Sequence, residues 1–583
     1  MNGVKEAANF IWSIADLLRG EFKQSDYGKV ILPLTVLRRL DCVLSTTKEA
    51  VLKKSEQMKG TSIQNLDPVL NRAAGYNFHN RSKFDFDKLI ADPNNIAANL
   101  RNYINGFSED AREIIEQFEF DNQITKLDDN NLLFMVLKRF QEVDLHPDKV
   151  SSMDMGYMFE ELIRKFAELS NETAGEHFTP REVIKLMVNL LFMDDREALT
   201  QKGIVKTIFD CCAGTGGMLS VAEEYLQELN PDARLELFGQ ELNPESYAIC
   251  KSDMLIKGQN PANVKRANSL KRKESDKQKP DQFINHKFDY LITNPPFGVK
   301  WKKVEKEVKE EHEELGFGGR YGAGLPSVGD GSFLFLMNLM SKMKTKEQGG
   351  SRLAIVFNGS PLFSGSPSSK KNESSIRQWI IENDLLEAII ALPNQLFYNT
   401  GISTYIWIIS NHKPGKRKGK VQLINGVDFF QKMTKSLGDK RNELNDDHIA
   451  QLTKLYGDFK ETKHSKIFDN EDFGYSKVTV ERPERNAKGE IVMDKKGNPK
   501  PDSSLRDSEN IPLKVDIDEY MQKEVLPHVP DAWIDESKTN VGYEINFTKY
   551  FYEYKPLRSL EEIRADILAL EEETDGLIKE VIA

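Results

Sequence analysis

Between Val205 and Ile409, short apolar runs alternate with stretches of helical spacing, and that alternation predicts an open, doubly wound α/β sheet. Two observations frame it. Residues 1–165 carry only helical periodicity, with Phe10, Ile11, Ile14, Leu17 and Leu18 spaced for one apolar face and Ile31, Leu34, Leu37 and Leu40 for another. Residues 560–582 place Ile563, Ile567, Leu570, Leu577 and Ile578 on one stripe of a strongly charged segment, which predicts a helical C-terminal tail that docks on this chain or on a partner. The expected division is a helical N-terminal domain over 1–165, an α/β domain over 166–480 and a C-terminal extension over 481–583.

A chain of 583 residues exceeds one ordinary hydrophobic core. With 80 basic against 91 acidic residues the net charge is -11, so a chain of this kind that handles nucleic acid needs a local basic groove or a partner that does most of the gripping. The four cysteines, Cys42, Cys211, Cys212 and Cys250, lack metal-ligand spacing, and the adjacent pair does not easily bridge to itself; a reduced, cytoplasmic setting without a metal centre is expected. No basic segment leads into an apolar one at the N-terminus and no apolar run is long enough to span a bilayer, so no membrane is expected.

Taken in order, Thr179-Pro180-Arg181-Glu182 reads as a capping box with proline at the first helical position, opening a helix that runs through Leu190. About thirty residues later, Asp210-Cys211-Cys212-Ala213-Gly214-Thr215-Gly216-Gly217 lies between strand-like Val205 to Phe209 and helix-like Met218 to Leu229. Glycines there let the backbone approach a ligand, and the helix start leaves N–H groups facing it. Strand-like Leu235 to Gly239 follows and ends near Glu241, one βα unit beyond the glycines, where a carboxylate takes ribose hydroxyls; the competing reading is a surface glutamate at a strand end. Helix-like Ser246 to Lys257 and a short strand from Asn263 to Ala267 lead to Asn268, and the lysines and arginine at 271–273, 277 and 279 read as a solvated loop.

Phe288 to Ile292 reads as a buried strand, and Asn294-Pro295-Pro296-Phe297 ends it, because two prolines offer no N–H to a ladder. At the carboxyl end of a strand in an open sheet, where ligands bind, Asn294 and the Pro295 carbonyl are two acceptors and Phe297 a ring face. That set suits a planar group carrying an amino function; the alternative is a Pro-Pro turn with Phe297 packed in the core. The charged run Lys302 to Glu314 and the glycines of 316–324 predict a mobile lid, a DNA-contacting loop or a disordered insertion. Helix Ser332 to Met343, strand Leu353 to Phe357, helix Ser374 to Asn383 and strands Leu386 to Leu392 and Thr404 to Ile409 continue the alternation. Lys413 to Lys420 reads as a solvated basic turn, 421–480 as mixed and helical, and 485–510 as an exposed excursion or linker.

These segments resemble the N6-adenine DNA methyltransferases, and among them the modification (M) subunits of type I restriction–modification systems. Asn294 to Phe297 is similar to that family's N-P-P-F signature and Phe178 to Arg181 to its F-T-P-R motif. Phe10 to Asp41, with Asp26-Tyr27 and Leu37-Arg38-Arg39-Leu40, and Asn399-Thr400-Gly401-Ile402 resemble the type I subunits. The resemblance implies a Rossmann-like S-adenosylmethionine-dependent methyltransferase sheet and methyl transfer from S-adenosyl-L-methionine to N6 of a flipped adenine in a specific double-stranded DNA site. It implies that Asn294, Pro295, Pro296 and Phe297 are catalytic, holding and stacking on the base. It further implies cofactor contacts from Glu176, His177, Phe178, Thr179, Pro180 and Arg181 to the methionine part, and from Asp210, Ala213, Gly214, Thr215 and Gly216 in the glycine loop. Glu241 would contact the ribose and Asn268 the adenine, where the family has an acidic residue and this chain departs from it.

The partners implied are a specificity subunit, with two modification subunits for each, and a restriction subunit carrying ATP-driven translocation, because no G-x-x-x-x-G-K-[ST] loop occurs here. Methylation of another amine, in RNA guanine or protein glutamine, and a non-catalytic subunit retaining the fold are the alternatives.

Overall fold

The computed structural model describes residues 9–570 except 62, 171–178, 196–198, 275–277, 368–370, 399 and 553–558, with only the backbone of 153 and 167–170. The chain divides into two compact units, residues 1–545 and 546–583.

The first unit is built on a nine-stranded sheet whose order is β11-β8-β6-β7-β5-β4-β1-β2-β3. Its strands are β1 (Val205–Asp210), β2 (Arg234–Glu241), β3 (Val264–Arg266), β4 (Tyr290–Thr293), β5 (Arg352–Asn358), β6 (Leu386–Ala391), β7 (Thr404–Ser410), β8 (Lys420–Asn425) and β11 (Ser465–Asp469). From β3 through β5 the neighbours run parallel, and β7 lies antiparallel between β5 and β6. The sheet is therefore mixed. β6 is buried along its whole length, as expected of a strand covered on both faces. On one face Val183, Met187 and Leu190 of the Arg181–Phe192 helix share a core with Ile208, Tyr290 and Ile292. On the other, Phe209 stacks on Phe288 with ring centroids 4.7 Å apart.

The chain runs outward from β1 to β2 and β3, then returns to place β4 on the opposite side of β1. The reversal opens a crevice at the carboxyl ends of β1 and β4, the place where open α/β sheets take ligands. The strand predicted to end at Ile292 continues through Thr293, which puts Asn294 directly at that edge.

Ahead of the sheet, helices including Tyr27–Leu44, Ile96–Asn105, Leu133–Gln141 and Ser152–Ser170 enclose a separate core. That core also takes in Ala248, Ile249 and Leu255 of the Pro244–Ile256 helix, so this helical region is packed onto the sheet's own helices.

Four expectations need correction. Residues 421–480, read as mixed and helical, hold one helix, Asp446–Asp458, and more strand than that reading expected: β9 (Gln431–Leu437) and β10 (Lys440–Glu443) form a hairpin, and β12 (Gly474–Glu481) is the centre of a second sheet with β13 (Asp507–Pro512), β14 (Trp533–Ile534) and β15 (Asn540–Tyr543). Residues 485–510 are the exposed excursion of the two readings and not a linker, folded back on itself between β12 and β13 with bridges Arg485 to Ile491 and Met493 to Pro499.

The basic turn is solvated only in part: Lys416 and Lys418 are exposed, but two of its cations are not. Lys413 is buried against Asp384 at 2.6 Å and Arg417 is buried against Gln422 at 2.9 Å.

The glycine-rich 316–324 segment is not a loose lid, because Arg320 is buried and holds it down. Its guanidinium donates to the Ser269 and Leu270 carbonyls at 2.8 and 3.2 Å and pairs with Glu311 at 2.7 Å, beside a buried Lys342–Asp281 pair at 2.6 Å. Removing one member of such a buried network costs about 3–5 kcal/mol. Lys271, read as solvated, is buried and pairs with Glu307 at 2.7 Å, while Lys273 is exposed as expected and pairs with Glu310 at 2.6 Å, both tethering the same insertion. Lys277 lies outside the described residues.

In the second unit the Phe547–Tyr550 turn stacks Phe547 on Phe551 at 5.1 Å, and residues 560–570 are helical. Ser559 and Glu562 cap that helix reciprocally, at 3.2 and 3.0 Å. Leu560, Ile563, Ile567 and Leu570 on it are exposed, and Leu577 and Ile578 lie outside the described residues. No helix of the described residues is long and apolar enough to cross a membrane.

Candidate active site

The carboxyl end of β1 carries Asp210, whose Oδ1 accepts from the Cys212 N–H at 2.9 Å and from the Thr293 hydroxyl at 2.7 Å. These bonds tie the glycine loop to the end of β4. The loop closes on itself through Gly216 N–H to the Ala213 carbonyl, 2.8 Å, and is held to β2 by Ala213 N–H to the Gln240 carbonyl, 3.0 Å. Gly216 has φ +87°, and a Cβ there would stand 2.9 Å from Cys250 Sγ, so two separate constraints require glycine. The helix predicted from Met218 begins one residue earlier, Gly217–Leu229.

Glu241 ends β2 beneath this loop. Its Oε2 accepts from Gly214 N–H at 2.8 Å and its Oε1 from Leu242 and Asn243 N–H at 2.7 and 2.8 Å. Burial pushes its carboxyl up, against those three N–H groups, which favour the charged form. Asp210 is 1% exposed, and burial pushes its carboxyl up to about 7, with the Thr293 hydroxyl and the Cys212 N–H pulling the other way.

Asn294 and Thr179 are both 8% exposed, and the Asn294 amide donates from Nδ2 to Thr179 Oγ1 at 2.8 Å. The predicted capping box is therefore absent. The Arg181–Phe192 helix starts without a side-chain cap, Pro180 occupies the N-cap position, and Glu182 pairs instead with Lys440. Arg181 turns toward the helical region, where it pairs with Glu160 at 3.0 Å and donates to the Gly217 carbonyl at 3.3 Å. Phe297 is half-buried and meets Phe397 edge-on, with centroids 6.1 Å apart.

Gly214, Glu241, Asn268, Asn294 and Pro296 all line one cavity of about 410 Å³. Larger clefts of about 910 and 920 Å³ lie elsewhere, but neither contains the glycine loop or the Asn294 turn. Ala213 is buried behind the cavity wall, Thr215 lines a crevice with Arg181 and Gly217, and Pro295 is buried. Glu176, His177 and Phe178 lie outside the described residues. Asn268 accepts from Leu270 N–H at 3.0 Å and donates to Gln278 at 3.1 Å, so its amide is engaged in shaping its own turn.

Several lining residues were not among the predicted site residues, among them Cys212, Asn243, Ser246 and Phe335. Asn243 carried a signal, since Asn243-Pro244 is an N-cap followed by proline and its side chain does accept from Glu245 and Ser246 N–H, each at 2.9 Å. Phe335 carried none, reaching the cavity from the Ser332–Met340 helix.

Chemically the cavity offers a carboxylate and backbone close approach at one end and an amide acceptor at the other. Among the described residues no group of three or more His, Cys, Asp or Glu is placed to hold a metal ion.

The sequence profile of the family described as N-6 DNA Methylase matches residues 150–483, and that of the HsdM N-terminal domain matches residues 7–140. The type I restriction enzyme MjaIX methylase subunit of Methanocaldococcus jannaschii is 25% identical over 497 residues, spanning 82% of this chain and 81% of the relative. The HindI methylase subunit of Haemophilus influenzae is 28% identical over 275 residues, 46% of this chain and 54% of that one. Among solved structures, the type I restriction-modification methyltransferase subunit from Streptococcus thermophilus superposes with a TM-score of 0.61 at 22% identity, covering 81% of this chain and 97% of its own, which shows the shared fold.

Proposed function

The chain belongs to the N-6 DNA methylase family, and from that premise we propose that it transfers the methyl group of S-adenosyl-L-methionine to N6 of an adenine in double-stranded DNA, as the modification subunit of a type I restriction–modification complex. The observation that carries the reading is one cavity wall holding the Glu241-braced glycine loop and the Thr179-clasped Asn294 together. Its partners are then a specificity subunit that chooses the site, two modification subunits for each, and a restriction subunit with the translocating motor. In this reading residues 1–165 form the assembly-facing helical domain, 166–480 the methyltransferase domain and 481–583 an extension whose terminal helix docks on a partner.

The cavity fits the cofactor: Gly214 lines it at φ +53° with open space where a Cβ would stand, and the Glu241 carboxylate stands at the β2 edge to take hydroxyls. When bound, S-adenosylmethionine supplies a methyl group already activated by its sulfonium. The protein's task is alignment. Asn294 and the Pro295 carbonyl accept from the adenine amino group and turn its lone pair toward the methyl. Phe297 stacks on the base, offsetting part of the few kcal/mol that flipping costs. Because the methylated ammonium is strongly acidic, the site needs acceptors that hold the amine more than a base that strips it.

Two outcomes follow from the geometry. Thr179→Val keeps the side chain's shape and removes its hydroxyl. One hydrogen bond to Asn294 is worth about 1 kcal/mol, so kcat should fall roughly five- to tenfold while cofactor Kd stays within twofold; a raised Kd with unchanged kcat would place the hydroxyl on the cofactor instead. The second concerns pH. A cationic ligand favours ionised Asp210, and with the free carboxyl at about 7 each binding event below that pH must release a proton. Cofactor affinity should fall about tenfold per pH unit below 7 and level off above it, and titration calorimetry in buffers of different ionisation enthalpy should detect the released proton. A flat profile in the parent, or an unaltered one in Asp210→Asn, would refute the assignment.

The activity itself is tested by nucleoside analysis of duplex DNA incubated with labelled cofactor and the chain assembled with its specificity subunit. Label in N6-methyladenine is expected; label in RNA or protein alone would overturn the reading.

A further inference from the structure

The segment that leaves the Asn-Pro-Pro-Phe turn has an unusual division between what is held and what is offered. Trp301 is 3% exposed and Val304 5% exposed, while Lys300, Lys302 and Lys303 between and beside them are all exposed. The backbone is fixed: Trp301 N–H donates to the Val328 carbonyl at 3.2 Å, its indole N–H to the Ser327 carbonyl at 2.8 Å, and Gly331 N–H to the Val299 carbonyl at 2.9 Å. Three neighbouring lysines are thus displayed from a pinned strap, not from a loose loop.

Their charge is not neutralised within the chain. The following Glu305–Leu315 helix is rich in glutamate, but Glu305 pairs with Lys309, Glu307 with Lys271, Glu310 with Lys273 and Glu311 with Arg320. Among the described residues none of the three lysines takes part in an ion pair. Bringing three like charges this close on an ordered strap works against folding unless an anion is to be met.

We propose that Lys300, Lys302 and Lys303 form a clamp for the phosphates that flank the target nucleotide, a reading that rests on the DNA methylation proposed above. Pro296 lines the cavity, and Lys300 lies four residues beyond it, at most about 14 Å along the chain. Extruding a base turns the nucleotide about its own backbone, so the phosphates on either side must come to the cavity mouth. The cavity wall meets them with the carboxylate of Glu241, with Asp210 buried just behind it at the end of β1, and the chain's net charge is -11. A polyanion approaching this site needs local cations, and the strap supplies them within reach of the turn that holds the base. The contacts are to backbone phosphate, so they position DNA without reading its sequence.

The experiment compares the assembled complex carrying the wild-type chain with one carrying Lys300→Gln, Lys302→Gln and Lys303→Gln together, and with the triple Lys→Arg variant. DNA Kd is measured against salt concentration. Each phosphate contact contributes about 0.9 to the slope of log Kd on log salt. The Gln variant should lose about 2–3 from that slope and bind any duplex, specific or not, roughly 10- to 100-fold more weakly, while the Arg variant retains the wild-type slope. Cofactor Kd within twofold of wild type certifies the fold of each. An unchanged slope in the Gln variant overturns the clamp, as does weakened assembly with the specificity subunit at an unchanged slope. If the wild-type complex makes no N6-methyladenine, the reading of the activity fails by that separate measurement.

Discussion

Asn294→Ala should leave the cofactor bound and reduce methylation about 10²- to 10³-fold, the loss seen when a single pre-aligned polar group is removed from a reacting centre. The amide is placed by the end of β4, by two prolines that prevent the strand from continuing, and by the Thr179 hydroxyl 2.8 Å away. Truncation takes away the acceptor for the adenine amine and also leaves the Thr179 hydroxyl, 8% exposed, without that donor; the latter costs about 1–3 kcal/mol of stability. Asn294→Asp separates the two effects. It keeps the shape and an acceptor, which Thr179 can meet by donating, but adds charge beside Asp210 and Glu241, so it should recover part of the rate and most of the stability. Single-turnover labelling with saturating cofactor is the measurement, and a rate for Asn294→Ala within tenfold of wild type would remove Asn294 from the chemistry.

Gly216→Val should act on the other end of the cavity, weakening cofactor binding about 10²-fold by calorimetry. A non-glycine residue at φ +87° costs about 1–2 kcal/mol, more for a β-branched one, and its Cβ meets Cys250 Sγ at 2.9 Å. The loop must then move, and with it the Gly214 N–H that Glu241 accepts. Pairing Gly216→Ala with Cys250→Ala relieves the clash while keeping the backbone strain, so the double variant should fall between Gly216→Ala alone and wild type. A Gly216→Val chain that binds cofactor within twofold of wild type would exclude the loop as the cofactor cradle.

The parts of this molecule that could be read from the chain are those whose cause is local. A strand-like run ending in buried Ile208 and Phe209, glycines and then a helical period specify β1, its loop and the Gly217–Leu229 helix from adjacent residues, and two prolines specify the end of β4. What could not be read depends on partners remote in sequence. Thr179 has the spacing of a cap, yet its partner is Asn294, 115 residues away. The glycines at 316–324 look mobile because nothing nearby explains Arg320, whose acceptors include the Ser269 and Leu270 carbonyls some fifty residues earlier. β9, Gln431–Leu437, has only Met433 and Leu437 as apolar residues, four apart, so it lacks the alternation by which strands are recognised. Phe335 reaches the cavity only because its helix packs beside β5.

The bond between Thr179 and Asn294 also limits how far this protein could be hardened against heat. A helix start without a side-chain cap is an obvious place to seek stabilising variants, since a supplied cap is worth about 1 kcal/mol. At the start of the Arg181–Phe192 helix, however, the side chain nearest to that task is committed to an amide at the far end of β4. Redirecting it to the helix would exchange turnover for melting temperature, so thermal selection and catalytic selection compete for one hydroxyl group.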